Sequence, residues 1–163
     1  MPNTRIILIS IMDSYYFMAA AYQEALKAFD EGEVPVGAVI ERNGRIIGRG
    51  YNRIEKLGDA TAHAEVIAIS AASTHLEDWR LTGCTLYVTL EPCLMCLGAI
   101  MQSRVSAIVY GAKDSRAGSV DSFFYRQEIE RSYRTFPQVT SGIMGEECGE
   151  LLKAFFRVLR NRQ

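Results

Sequence analysis

The feature that limits the possible folds most is a strand, a helix and a second strand that follow one another without a long break. Residues 85–90 form a β-rich apolar run, which predicts a buried strand. Pro92 then opens a helical pattern that ends near Ser103, because proline is favoured in a first helical turn, and residues 107–110 return as a strand. This alternation after residue 60 predicts an α/β fold with parallel neighbouring strands and helices on both faces of the sheet.

Apolar spacing and turn residues predict the remaining elements. Asn43-Gly44 is typical of a two-residue hairpin, so the strands on either side of it are expected to be antiparallel. Asp13 and Thr61 can each cap a helix. The predicted elements are strands over residues 34–40, 46–51 and around Val139, and helices over residues 14–31, 62–73 and 124–133 and along the C-terminal stripe Cys148, Leu151, Leu152, Phe155 and Leu159.

Length and composition indicate one globular unit. A chain of 163 residues that is 48% hydrophobic can bury one core, so we expect a single domain over residues 1–163. The formal net charge of -1 gives no overall basic signal for nucleic acid, and any such contact must come from local patches. The four cysteines are too few and too unevenly spaced for a disulfide framework, which favours a reducing cytoplasm.

The apolar run at residues 6–12 is open to two interpretations. It is interrupted by Asp13, is followed by no cleavage pattern, and is too short to span a membrane, so no membrane association is expected. It forms either an extra edge strand or an extension that arises from a start codon placed upstream of the true one at Met12. We favour the extension, over residues 1–12.

His63, Cys93 and Cys96 supply the three protein ligands that a catalytic zinc needs, and they leave a fourth position for water. Cys93 and Cys96 lie at a predicted helix start, where the helix dipole favours thiolate over thiol. Zinc lowers the pKa of such a water toward about 7. Glu65, two positions from His63, cannot point the same way on a helix and is better placed to shuttle protons than to bind the metal.

Neither half of this pattern identifies a deaminase when it is taken alone. A lone C-x-x-C is also found in redox pairs, in halves of structural zinc sites and in buried thiol pairs. A closed structural site would need a fourth ligand from His75, Cys84 or Cys148, which we expect at a helix end, at a strand start and in a helical core stripe. The combination of H-x-E with P-C-x-x-C is typical of zinc deaminases that act on nucleic-acid bases, with one Zn²⁺ per subunit.

Beyond these motifs, residues 16–160 resemble the tRNA-specific adenosine deaminases of the TadA type. The zinc motifs are shared by the wider cytidine deaminase superfamily, whereas residues 33–39 and the surroundings of Asp114 are similar to the tRNA branch. The stretches that carry the resemblance are Glu33-Val34-Pro35-Val36-Gly37-Ala38-Val39, Gly50-Tyr51-Asn52-Arg53, Thr61-Ala62-His63-Ala64-Glu65, Leu86-Tyr87-Val88-Thr89-Leu90-Glu91-Pro92-Cys93, Met95-Cys96, Gly98-Ala99 and Gly111-Ala112-Lys113-Asp114.

The resemblance implies a three-layer α/β/α sandwich with a five-stranded mixed sheet, as in cytidine deaminases. It also implies hydrolysis of adenosine to inosine at the wobble position of tRNA by a homodimer that binds the anticodon stem-loop. By motif, Asn52 would hydrogen-bond the flipped nucleoside, the Ala64 backbone would hold its base, Glu65 would shuttle protons, and Asp114 would contact the RNA backbone. The alternative for Asn52 is a simple turn residue after a strand.

Basic side chains near the C-terminus provide the remaining support for RNA binding. Lys153, Arg157 and Arg160 follow the last acidic residue and lie beside Phe155-Phe156, and Arg116 is a further candidate. The alternative is a solvated helix face whose cations suit the C-terminal dipole. Two other functions stay open at this point: a deaminase of a free base or nucleoside, such as guanine or cytosine, and a non-catalytic zinc-stabilised interaction module.

Overall fold

The computed structural model describes residues 4–122, 126–133 and 135–162, and within them the chain forms one five-stranded sheet. The strand order is β2-β1-β3-β4-β5, with β1 antiparallel to β2 and β3, and β4 parallel to β3 and β5. The strands are β1 Gly37–Arg42, β2 Arg45–Tyr51, β3 Thr85–Leu90, β4 Ala107–Ala112 and β5 Gln138–Ser141. The helices are α1 Thr4–Asp30, α2 Ile54–Leu57, α3 Ala64–Leu76, α4 Leu94–Gln102, α5 Arg126–Tyr133 and α6 Gly145–Arg160.

Helices cover both faces of the sheet, so the predicted three-layer α/β/α sandwich is confirmed. Because successive side chains of a strand point to opposite faces, Leu86 and Val88 pack with α3 and α4, whereas Tyr87 between them packs with α1 and α6. The parallel pairs β3·β4 and β4·β5, which were predicted from the strand and helix alternation, are connected through α4 and α5.

Two local features of β2 are the tight turn that precedes it and its close contact with α3. The hairpin at Asn43-Gly44 is confirmed, and both residues have the positive φ values, 52° and 77°, that a type I′ turn requires. On β2, Gly50 lies so close to α3 that a side-chain carbon there would collide with the carbonyl oxygen of Ala64. The first turn of α3 therefore rests directly on the backbone of β2.

Four sequence predictions are corrected. The first helix begins at Thr4 rather than after Asp13, so the proposed edge strand at residues 6–12 is wrong; the helix continues through Ser14, whose hydroxyl donates to the Ser10 carbonyl. The first strand begins at Gly37, and α2 was not predicted. Leu159 is exposed rather than part of the buried stripe. Residues 124 and 125 of the predicted helix 124–133 lie outside the described residues.

Cys148 and Phe155 do form the buried side of α6, and Val139 lies in β5, as predicted. Within the described ranges, no helix combines the length and the apolar character that crossing a bilayer demands.

Candidate metal centre and active site

Two helix starts meet at the predicted metal site. His63 is the residue that precedes α3, and Cys93 is the residue that precedes α4, with extended backbones at ψ 152° and 173°. This corrects the prediction that both lie within the first turn and that Thr61 caps the helix, since Thr61 donates instead to the Asp59 carboxylate. Cys96 lies in the first turn of α4. The positive ends of two helix dipoles therefore face the thiols, which favours thiolate.

The three predicted ligands come together. The Nδ1 atom of His63 lies 3.8 Å from Cys93 Sγ and 3.4 Å from Cys96 Sγ, and all three donor atoms lie within 4.8 Å of one another. On a tetrahedral zinc with ordinary bond lengths, a nitrogen and a sulfur ligand are about 3.6 Å apart. The donor set and its spacing therefore fit a zinc ion.

No fourth protein ligand joins this group among the residues described, so a closed structural site is not formed there. His75 lies in the last turn of α3, Cys84 is buried just before β3, and Cys148 is buried in α6, each in the position that the sequence predicted. Three protein ligands and an open position are the arrangement of catalytic zinc.

The thiols and the imidazole influence one another's protonation. Hydrogen bonding from Cys96, and after it from His63, lowers the pKa of Cys93 to about 4. The same contact, together with burial, raises the pKa of the Cys96 thiol. The hydrogen bond with Cys93 also raises the pKa of His63. The protein groups alone therefore stabilise one thiolate, at Cys93. A bound metal ion would supply the positive charge that a second thiolate, at Cys96, needs.

Glu65 stands beside this cluster as a carboxylate without a full set of partners. Its side chain is 3% exposed, and its Oε2 atom has no hydrogen-bond partner within the described residues. Burial raises the pKa of Glu65 above its usual range. A buried oxygen with an unused lone pair, next to a metal site, is suited to accept and release a proton.

Asn52 is placed by the structure at the start of α3. It is 5% exposed, and its Oδ1 atom accepts a 2.9 Å hydrogen bond from the Ala64 N–H. Asn52 is therefore more than an exposed turn residue after a strand. It fixes the backbone between His63 and Glu65, and it also uses the Ala64 N–H group.

Asp114 begins a loop over residues 114–122 that lies against the metal-binding turn. Its carboxylate accepts hydrogen bonds from the N–H groups of Arg116 and Ala117 and so shapes the loop. In the middle of the loop, Ser119 N–H donates to the Pro92 carbonyl, and Gly118 pairs with Cys93. We refer to residues 114–122 as the site loop.

Glu91 is the residue of this region that the sequence analysis missed. It is 2% exposed and lies directly after β3, where its carboxylate accepts hydrogen bonds from the site loop. The sequence did contain an indication of its role, because Glu91 is an acidic residue between a buried strand and Pro92. Such a residue must either be exposed to solvent or have its carboxylate fully hydrogen-bonded.

The four predicted RNA contacts line one surface groove. Arg116 of the site loop faces Lys153, Arg157 and Arg160 of α6 across a groove of about 710 Å³, which Phe156 also lines. Phe156 is exposed, whereas Phe155 is buried. Arg116 lies two residues from Gly118, which pairs with Cys93, so the site loop connects the groove to the metal-binding turn.

Comparison with known proteins identifies the family to which the chain belongs. Residues 12–112 match the family model for the cytidine and deoxycytidylate deaminase zinc-binding region. The tRNA-specific adenosine deaminase of Bacillus subtilis (strain 168) is 46% identical over 147 residues, which cover 90% of this chain and 91% of that protein. The chain belongs to the tRNA-specific adenosine deaminase family. The enzyme of Aquifex aeolicus (strain VF5) is 43% identical and covers 92% of this chain and 98% of its own.

Solved structures agree with this family. One from a study of A-to-I editing by tRNA:A34 deaminases at the wobble position has a TM-score of 0.79 and 43% identity, covering 83% of this chain and 98% of that one. Guanine deaminase from Nitrosomonas europaea has a TM-score of 0.73 at 23% identity, with coverage of 86% and 83%, and shows the shared fold alone. The predicted family and zinc dependence are confirmed.

Proposed function

We propose that this protein hydrolyses adenosine to inosine at the wobble position of a tRNA anticodon and releases ammonia. The observation that carries the proposal is the buried, incompletely hydrogen-bonded carboxylate of Glu65 beside a three-ligand zinc site. The chain acts as one deaminase domain with one Zn²⁺ per subunit. His63, Cys93 and Cys96 hold the ion, which when bound makes a water acidic enough to attack near neutral pH.

Glu65 carries the protons in this reaction. Its carboxylate accepts the first proton of the attacking water and delivers it to the ring nitrogen of adenine as the new C–O bond forms. It then accepts the proton of the resulting hydroxyl and gives it to the amine, so that the C–N bond breaks, ammonia leaves and the carbonyl of inosine forms. Its raised pKa suits this role, because a carboxyl group that exchanges protons works best when its pKa approaches the working pH.

Asn52 and Ala64 form the wall on which the nucleoside is bound. The Asn52 carboxamide is anchored through its oxygen to the Ala64 N–H, so its amide orientation is set and its nitrogen is the group that would donate to a ligand. The Ala64 N–H already donates to Asn52 and its side chain is fully buried, so Ala64 contributes to this wall through its backbone.

RNA binding is assigned to the groove between the site loop and α6. Arg116, Arg157 and Arg160 offer guanidinium groups for phosphates, Phe156 offers an exposed ring on which a splayed base can stack, and Lys153 is partly neutralised by its 2.7 Å ion pair with Glu150. Asp114 acts here by shaping the loop, and its second carboxylate oxygen, which accepts no hydrogen bond from the described residues, can accept from a ribose hydroxyl.

We also propose a homodimer and a cytoplasmic location. Leu94 and Met95 at the start of α4 are 65% and 38% exposed beside the metal ligands, so a second copy has an apolar surface to cover there. The Leu94→Glu variant should shift the mass measured by light scattering from dimer to monomer. The four free cysteines suit a reducing compartment, and tRNA is present in the cytoplasm.

The test is to incubate purified protein with total tRNA and to measure inosine by nucleoside mass spectrometry. Wild type should form inosine, and Glu65→Ala should form none while it retains about one zinc per chain. Absence of inosine from a zinc-loaded wild type would contradict the proposal. Fast turnover of free guanine, cytosine or a nucleoside would instead support a small-substrate deaminase. If neither wild type nor Glu65→Ala turns over any of these substrates and both bind the same amount of zinc, the result would support a non-catalytic module.

A further inference from the structure

The site loop is attached to the rest of the protein mainly through one buried carboxylate. Glu91 Oε1 accepts hydrogen bonds from the N–H groups of Val120, Asp121 and Ser122 at 3.1, 2.8 and 2.9 Å. Its Oε2 accepts from Asp114 N–H at 3.1 Å and from the Ser122 hydroxyl at 2.6 Å. The first and the last residues of the loop therefore bind the same side chain.

The loop also packs tightly against the Glu91 side chain at Gly118. Gly118 lies against the Glu91 side chain, where an added side-chain carbon would collide with the carboxyl group and with the Asp114 carbonyl oxygen. The hydroxyl of the fully buried Tyr110 donates to the Asp121 carboxylate and ties the end of the loop to β4.

The backbone of Glu91 is also fixed next to the turn that carries the metal ligand Cys93. Its own N–H donates to the Ala112 carbonyl at 2.8 Å, which continues the pairing of β3 with β4 beyond the last strand residue. Pro92 and Cys93 follow at once, and both contact the site loop through Ser119 and Gly118. One side chain thus links the turn that carries a metal ligand to the loop that carries Asp114 and Arg116.

We propose that Glu91 is a positioning residue for RNA binding, which holds the site loop at a set distance from the metal-binding turn. This inference rests on the proposed function, because the substrate that the loop meets is the RNA on either side of the target adenosine. Glu91 does not touch the reacting atoms. Its loss should weaken RNA binding more than it slows the chemical step.

The closing experiment compares Glu91→Gln with wild type and with Glu24→Gln. The glutamine keeps the shape but presents an NH₂ group to backbone donors. Glu24 is a matched control, because it is equally buried but its partners are Lys27 and Arg49, away from the site loop. Ser122→Ala, which removes a single donor to Glu91, serves as the milder variant if Glu91→Gln does not fold.

Hydrogen exchange, read by mass spectrometry, is the first measurement and needs no activity. Exchange over residues 114–122 should rise by about tenfold or more in Glu91→Gln, less in Ser122→Ala, and not in Glu24→Gln. Unchanged exchange of the site loop in both Glu91→Gln and Ser122→Ala would overturn the inference, whatever the substrate proves to be.

Steady-state kinetics on the anticodon stem-loop is the second measurement. We expect KM to rise about tenfold in Glu91→Gln with kcat changed by less than about threefold and with zinc retained. A fall in kcat together with zinc loss would overturn the inference, because Glu91 would then act on the metal. If wild type forms no inosine, the proposed function fails, and the exchange measurement still decides whether Glu91 positions the loop.

Discussion

Glu65 and Glu91 are two glutamates at one site, 3% and 2% exposed, whose surroundings differ sharply. Glu65, in the first turn of α3, keeps one carboxylate oxygen without a hydrogen-bond partner among the described residues, and burial raises its pKa. Burial would also raise the pKa of Glu91, but hydrogen bonds from Ser122 and Asp121 outweigh it and hold that pKa below its usual range. Burial alone therefore does not decide what a carboxylate does.

The number of donors decides it. A carboxylate that accepts several charge-assisted hydrogen bonds is held as a stable anion and fixes the groups that donate to it. A carboxylate that leaves an oxygen without a donor is costly to bury as an anion and accepts a proton more readily. Glu91 is thus suited to hold structure, and Glu65 is suited to move protons.

The largest expected effect comes from removing a ligand of the zinc ion beside which Glu65 lies. Cys96→Ala should lose stoichiometric zinc, all measurable deamination and part of its stability, because two ligands remain around a buried site. Elemental analysis of the purified variant measures the zinc. Cys84→Ala, a buried cysteine outside the donor group, should lose packing but keep zinc. Full zinc content in Cys96→Ala would show that the ligand set is wrong.

The next effect concerns Glu65 itself. Glu65→Gln should lower the deamination rate by about 10²- to 10⁴-fold, which is the range that general acid-base catalysis contributes. Zinc content and the hydrogen exchange of the site loop should remain as in wild type, because Glu65 makes none of the bonds that hold the loop. Single-turnover kinetics on the anticodon stem-loop measures the chemical step. A rate within about threefold of wild type would remove Glu65 from the proton path.

The parts of the fold and of the metal site that could be predicted from the sequence are those set by residues close together along the chain. Ligand identity followed from His63, Cys93 and Cys96, because zinc restricts donor type and number and the helix starts bring the donors together. The antiparallel β1·β3 pair was not predicted, whereas the β1·β2 hairpin followed from the Asn43-Gly44 turn and the parallel pairs of β3, β4 and β5 followed from the strand and helix alternation. These features depend on residue type and short spacing.

Features that depend on contacts distant in sequence were missed. Asn52 fixes the start of α3 from twelve residues away, so Thr61, the nearer capping candidate, was chosen wrongly. Glu91 and its loop donors are separated by 23 to 31 residues. The helix at residues 6–12 was missed because its apolar run has no periodic pattern to distinguish strand from helix.

The two glutamates should also differ in stability. Glu91→Gln should lower the free energy of unfolding by about 1–3 kcal/mol, because buried N–H donors lose an acceptor. Glu65→Gln should leave it unchanged or raise it, because an unsatisfied buried carboxylate becomes a neutral amide. Urea unfolding with excess zinc measures both. A loss of the same size in the two variants would show that their hydrogen-bond difference has no energetic consequence.

The smallest expected effect is in the salt dependence of RNA binding, in which Glu91→Gln and Glu65→Gln should again differ. Each phosphate contact that is lost lowers the slope of log K against log salt concentration by about 0.7 to 0.9. Arg157→Ala should lower the slope by one such step, because its guanidinium lines the groove directly. Glu91→Gln should also lower it, since the loop that carries Arg116 is released, whereas Glu65→Gln should leave it unchanged. Filter binding of the anticodon stem-loop over a salt series measures the slope. Equal slopes in wild type and Glu91→Gln would place the influence of Glu91 on the loop backbone alone and exclude Arg116 as the group through which it reaches RNA.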